Sequence, residues 1–73
     1  MKINYYKLDT VQITQLIQSQ DLKKYWIAEA TGVHQSTFRR WLSGKIGRVS
    51  EPKLFRLAQV FAIDPTQIAQ PVQ

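Results

Sequence analysis

Seventy-three residues without a cysteine allow one small domain, whose core supplies no more than about 3 to 5 kcal/mol of net stability, and exclude disulfides and thiolate metal sites. The apolar runs are only a few residues long and Met1-Lys2-Ile3-Asn4 lacks the apolar stretch of a secretory leader, so a cytoplasmic protein with no membrane contact is expected. The net charge of +5 is concentrated between Lys23 and Arg56, where eight cations face only Glu29 and Glu51 for a net of +6; a polyanion should meet the middle of the chain.

Residues 1–9 carry Ile3, Tyr5 and Tyr6 in loose alternation, which predicts a short strand or extended N-terminal arm. Asp9 offers a helix N-cap, with Gln12 three residues on as the reciprocal partner of a capping box. A first helix is expected from Thr10, burying Ile13, Leu16 and Ile17 and closing in the polar run Gln18–Asp21. A second begins near Lys23 or Lys24 and carries Ile27 and Ala28 inward. Gly32 stands where a helix C-terminus needs positive φ without a Cβ penalty, and Val33 follows as the apolar contact of that cap.

A third helix is expected over Gln35–Ser43 with His34 as its N-cap. Val33, Phe38, Trp41 and Leu42 fall on one side, and Gln35, Ser36, Arg39 and Arg40 on the other. Amides, hydroxyls and guanidiniums are the groups that read base edges in a major groove: Gln pairs with adenine, Arg with guanine, small hydroxyls with either. A solvated polar helix face is the common alternative for such a run. After Gly44 comes a loop marked by Lys45, Gly47 and Arg48, where backbone amides and cations suit a phosphate. Ser50, Glu51 and Pro52 open a fourth helix at about 51 to 62, with Leu54, Leu57, Ala58, Phe61 and Ile63 as its core stripe. Asp64-Pro65-Thr66-Gln67 repeats that opening and predicts a short fifth helix through Ile68 and Ala69. Residues 70–73 should fray.

Two short helices around one tight turn make a helix-turn-helix, and the spacing of Ala28, Gly32, Val33, Phe38, Trp41 and Gly44 resembles the Cro and CI repressor (XRE, lambda repressor-like) type. The likeness runs from about Leu16 to Ile68 and includes LFRLAQVFAID, similar to the family's fourth helix. It implies an all-α fold, a compact bundle of about five short helices over residues 10–69 behind the arm. It also implies that Gln35, Ser36 and Arg40 face base edges, with Thr37 and Arg39 on a neighbouring base or phosphate. Lys23, Lys24, His34, Lys45 and Arg48 would hold the DNA backbone. The chain departs from the family at Lys23 and Lys24, which stand where Ser or Thr and Gln are usual. It departs also at Thr31, in place of a leucine, and at the bulky pair Tyr25 and Trp26, which asks for a cover; Tyr5 or Tyr6 lying over Trp26 would supply one.

No nucleophile beside a base, paired carboxylates or phosphate loop indicates an enzyme, and His34 alone makes a poor metal site; no cofactor or metal is expected. The function expected is that of a sequence-specific regulator binding double-stranded DNA, a small phage- or plasmid-type repressor acting as a homodimer on an operator, with Phe61, Ile68 and Val72 as interface groups. The alternatives are a protein-interaction module, antitoxin-like, that meets a protein partner through Tyr25 and Trp26, and nonspecific binding of DNA or RNA.

Overall fold

The computed structural model describes residues 4–45 and 48–72. Four helices, α1 (Thr10–Ser19), α2 (Lys24–Thr31), α3 (Gln35–Ser43) and α4 (Glu51–Phe61), pack with a three-stranded sheet of β1 (Tyr5–Leu8), β2 (Val49–Ser50) and β3 (Ala69–Pro71). The fold is mostly helical rather than all-α, with four helices instead of five. β1 is the central strand, antiparallel to both neighbours: Tyr5 pairs with Ser50, Tyr6 with Val49 and Pro71, Lys7 with Gln70, and Leu8 with Ala69.

The helix starts follow their capping chemistry. Asp9 Oδ1 accepts the Gln12 N–H at 3.1 Å and His34 Nδ1 accepts the Ser36 N–H at 3.2 Å, each satisfying one of the amides left orphaned in a first turn. Ser50 occupies the N-cap of α4 without a side-chain bond, and Lys23 caps α2 with none. Three helices end in the same way. After α1, α2 and α4 the residues Asp21 (φ 53°), Gly32 (φ 83°) and Ala62 (φ 57°) turn left-handed. The next residue's N–H then closes a six-to-one bond, Leu22 to Ile17 O at 3.0 Å, Val33 to Ala28 O at 2.9 Å and Ile63 to Ala58 O at 3.1 Å. These are Schellman ends, and Leu22, Val33 and Ile63 lay their side chains against the core.

The expected fifth helix is a single 3₁₀ turn, Pro65–Gln67. Asp64 Oδ1 does cap it, accepting from Thr66 N at 2.9 Å and from Thr66 Oγ1 at 2.7 Å. Those bonds, the backbone one first, hold the exposed Asp64 carboxyl below its ordinary range. Ile68 then sinks to 0% exposure and its carbonyl accepts the Asp9 N–H at 2.7 Å, so the chain is drawn into pairing with β1 before a helix can propagate. The expected fraying is likewise replaced by β3, up to Val72, whose N–H reaches Tyr5 O at 3.1 Å. Pro71 suits this edge, because pairing alternates and the bonds of β3 to β1 run through Val72 and Ile68, leaving position 71 facing outward where no N–H is needed.

Tyr6 and Leu8 point into the domain and Tyr5 and Lys7 away from it, as the period of two requires. The Tyr6 hydroxyl donates to Glu51 Oε2 at 2.9 Å, tying β1 to the first turn of α4. That bond holds the phenol proton and, with partial burial and the nearby carboxylate charge adding to it, pushes the Tyr6 hydroxyl above its ordinary range. Tyr6 is therefore committed to α4, and neither tyrosine buries Trp26, which stays 47% exposed.

The core gathers Ile13, Ile17, Ile27, Phe38, Trp41, Leu54, Leu57, Phe61 and Ile68, each full burial stabilising by about 1.5–3 kcal/mol relative to exposure. Phe61 and Ile68, expected at a subunit interface, are 1% and 0% exposed and belong to the interior of the single chain; Val72 is half-buried. Thr31 is also fully enclosed, and its Oγ1 has no hydrogen-bond partner among the described residues, a cost of about 1–3 kcal/mol relative to an apolar isostere.

The left-handed residues make opposite predictions. Gly32→Val forces a β-branched side chain to positive φ and should cost about 1–3 kcal/mol. Among the described residues the only neighbour near the new Cβ is Arg56 Nη1 at 3.0 Å, the movable end of a flexible side chain, so the cost lies in the backbone. Ala62→Gly relieves the same strain and should stabilise by up to about 1 kcal/mol. Thermal unfolding should show a melting temperature lowered in the first variant and raised in the second; an unchanged melting temperature for Gly32→Val would contradict the turn geometry.

Candidate nucleic-acid interface

α3 owes its orientation to two aromatic side chains. Phe38 and Trp41, 1% and 3% exposed, meet edge to face with ring centroids 6.1 Å apart and an interplanar angle of 73°, a favoured aromatic geometry. At 100° per residue their burial leaves Gln35, Ser36, Arg39 and Arg40 exposed, with Thr37 half-buried at the margin. The turn at Gly32 sets where this face lies relative to α2.

The residues expected to touch nucleic acid separate into groups. Lys23 and Lys24 at the start of α2 line one concavity of about 380 Å³ together with Tyr25, Gln35, Phe38 and Arg39. Its rim has three cations and no carboxylate. A second concavity shares Tyr25 and Gln35 with the first and is lined also by Ala28, Glu29, Val33 and His34. Arg40 lines neither; it shares a stripe of α3 with Ser36, one turn earlier, and sits in the last turn, where a cation also complements the helix dipole. Lys45 and Arg48 are exposed on either side of positions 46–47. Gly47 lies outside the described residues.

His34 has a structural task as well as a place on this surface. Its Nδ1 accepts the Ser36 N–H and lies 2.9 Å from Ser36 Oγ. Accepting at Nδ1 requires that nitrogen to be unprotonated, which leaves Nε2–H as the ring's donor. Among the described residues the side chains of Gln35, Arg39, Arg40, Lys23 and Lys24 enter none of the hydrogen bonds that fix the fold. Their donors remain available.

Two residues on or near this surface were given no nucleic-acid role by the sequence, which offered Tyr25 only as part of a protein-binding patch with Trp26. Tyr25 borders both concavities; helical phase sets it about 100° from Trp26, but its place beside α3 depends on how the two helices cross. Arg56 brings its guanidinium from α4 over the Gly32 turn, a contact across helices that local sequence does not encode. Among the described residues no group of three His, Asp or Glu side chains is placed to hold a metal ion, and no helix is long and apolar enough to cross a membrane.

The chain belongs to the helix-turn-helix domain family, whose model matches residues 11–70, in its XRE-like form. Among solved structures it is similar to a DNA-binding protein of Bacteroides fragilis described as putative, at 27% identity with a TM-score of 0.69, covering 81% of this chain and 94% of that one. It is also similar to a transcriptional regulator of Listeria innocua, at 26% identity and a TM-score of 0.74, covering 92% of this chain but only 63% of that longer protein. The transcriptional regulator VanUg matches at 27% identity and a TM-score of 0.68, covering 92% and 87%. No curated protein sequence matches the chain.

Capping by His34 is separable from DNA contact. His34→Ala should destabilise the domain by about 0.5–2 kcal/mol through loss of the cap, and His34→Asn should restore most of it. Urea unfolding without DNA checks this; equal stability of the alanine variant and the parent would show that the Ser36 bond contributes nothing.

Proposed function

We propose that the protein binds double-stranded DNA sequence-specifically and regulates transcription by occupying an operator, as a repressor of the Cro and CI kind. The observation that carries this reading is the outward face of α3, where Gln35, Ser36, Arg39 and Arg40 are exposed beside Lys23 and Lys24. The two lysines hold phosphates and fix register, with His34, Lys45 and Arg48 extending the backbone contacts. Gln35, Ser36 and Arg40 face base edges, and Thr37 and Arg39 meet a neighbouring base or phosphate. Family membership and the likeness to a DNA-binding protein and two transcriptional regulators support the class of function. The protein acts in the cytoplasm, by binding and not by catalysis, without a cofactor.

One short recognition helix reads few base pairs, so the protein acts as a symmetric dimer on a roughly palindromic site with half-site centres about 10 base pairs apart. With Phe61 and Ile68 enclosed in the core, the two-fold contact falls to exposed apolar groups such as Phe55 and Val11. The interaction-module alternative, in which Tyr25 and Trp26 form one protein-binding patch, is weakened by their placement: Tyr25 opens onto the basic concavity beside α3, and Trp26 lines neither concavity there.

Reading and holding are distinguished by two substitutions. Arg40→Ala should cost about 1–3 kcal/mol on a preferred duplex and much less on random duplex, relaxing specificity at one base pair per half-site. Lys24→Ala should weaken both alike and reduce the log–log salt slope by about 0.9 for each subunit bound. Affinities for selected duplex, random duplex and single-stranded RNA at one salt concentration provide the check. Equal losses on both duplexes for Arg40→Ala would make Arg40 a phosphate contact, and equal binding of the parent to all three would leave only nonspecific attraction.

A further inference from the structure

We propose that Tyr25 is a DNA-contact residue that couples backbone holding to base reading: its hydroxyl donates to the phosphate that Lys24 neutralises, and its ring keeps the Gln35 amide aimed at a base edge. The inference rests on the DNA-binding reading above and deepens it.

Tyr25 is 53% exposed and is the α2 side chain that, with Gln35 opposite on α3, borders both concavities of this surface. The two concavities differ in charge. The first has Lys23, Lys24 and Arg39 on its rim and no carboxylate; the second has Glu29 and no lysine or arginine. A phosphodiester is attracted more strongly to the first than to the second, where Glu29 offsets the contact that His34 offers. Tyr25 thus stands beside the cations that fix the strand, where the strongly attracting surface gives way to a weaker one.

The chemistry of the side chain suits that place. A tyrosine hydroxyl is among the groups that bind phosphate oxygens. With two side-chain torsions the ring offers a large contact area at small entropic cost. Gln35 has three torsions, and an unrestrained glutamine loses rotamer freedom on pairing with adenine. A ring that shares both concavities with Gln35 would remove part of that freedom in the unbound protein. Trp26, the adjacent residue, is similarly exposed at 47% but takes no part in either concavity, which makes it the matched control.

The test measures affinity for a selected duplex and a random duplex at one salt concentration, using Tyr25→Phe, Tyr25→Ala, Gln35→Ala, Lys24→Ala and Trp26→Ala, with thermal unfolding to verify folding. Tyr25→Phe should weaken both duplexes equally, about two- to ten-fold, the worth of one hydrogen bond. Tyr25→Ala should show that loss and a further one on the selected duplex alone, relaxing preference at the base pair that Gln35→Ala relaxes. Trp26→Ala should stay within about two-fold of the parent. If Tyr25→Ala binds both duplexes as the parent does while Lys24→Ala is impaired, the proposal is overturned and the DNA-binding reading stands. A Tyr25→Phe variant indistinguishable from the parent would overturn the phosphate contact. If the parent itself binds neither duplex, the DNA-binding reading fails and this inference with it.

Discussion

The left-handed turn at Gly32 is the constraint on which the presentation of α3 depends. Its two closing bonds, Gly32 N to Glu29 O and Val33 N to Ala28 O, stop α2 and reverse the chain within two residues. Val33 lies against the core, and His34 immediately caps the next helix. Because α3 is only nine residues long, too short to be stable alone, its position is fixed at three points: the cap at His34, the packing of Phe38 and Trp41, and the turn before it. The exposed polar face is what remains once those are satisfied. The interface is thus a consequence of how α3 is buried.

One of the three turns carries glycine, and the equivalent turns at Asp21 and Ala62 carry side chains. All three need positive φ, and a side chain there costs about 1–2 kcal/mol. The strain is tolerated at the ends of α1 and α4, where Leu22 and Ile63 supply compensating burial. At Gly32 the turn is also approached by Arg56. The domain carries a further cost in the unpartnered hydroxyl of Thr31, so little stability is in reserve. The sheet offsets part of this: β1 joins the segment after α3 to the end of the chain, and the Tyr6–Glu51 bond fastens it to α4.

Local signals made most helices legible. Asp9, His34 and Gly32 act at the positions their chemistry implied, and the spacing of Leu54, Leu57, Ala58 and Phe61 marked α4. The sheet was hidden because it depends on pairing between residues more than forty positions apart, Tyr6 with Val49 and with Pro71, and two-residue β2 and three-residue β3 are too short to show alternation. The fifth helix was misread for the same reason: Asp64-Pro65 opens a helix in isolation, and the Asp9–Ile68 bond overrides it from the far end of the chain. At the interface, exposure of Gln35, Ser36, Arg39 and Arg40 followed from helical phase, whereas the neighbourhood of Tyr25 required knowing how α2 and α3 cross.

The most direct measurement is a backbone amide NMR titration of the folded protein with a duplex selected from a random pool. Perturbations should concentrate in Lys23–Tyr25 and Gln35–Arg40, with any at Phe55 and Val11 reporting the two-fold contact, and leave Tyr5–Leu8 nearly unmoved. Shifts centred on the sheet, with α3 unperturbed at saturation, would contradict the assignment of α3 as the surface that meets DNA.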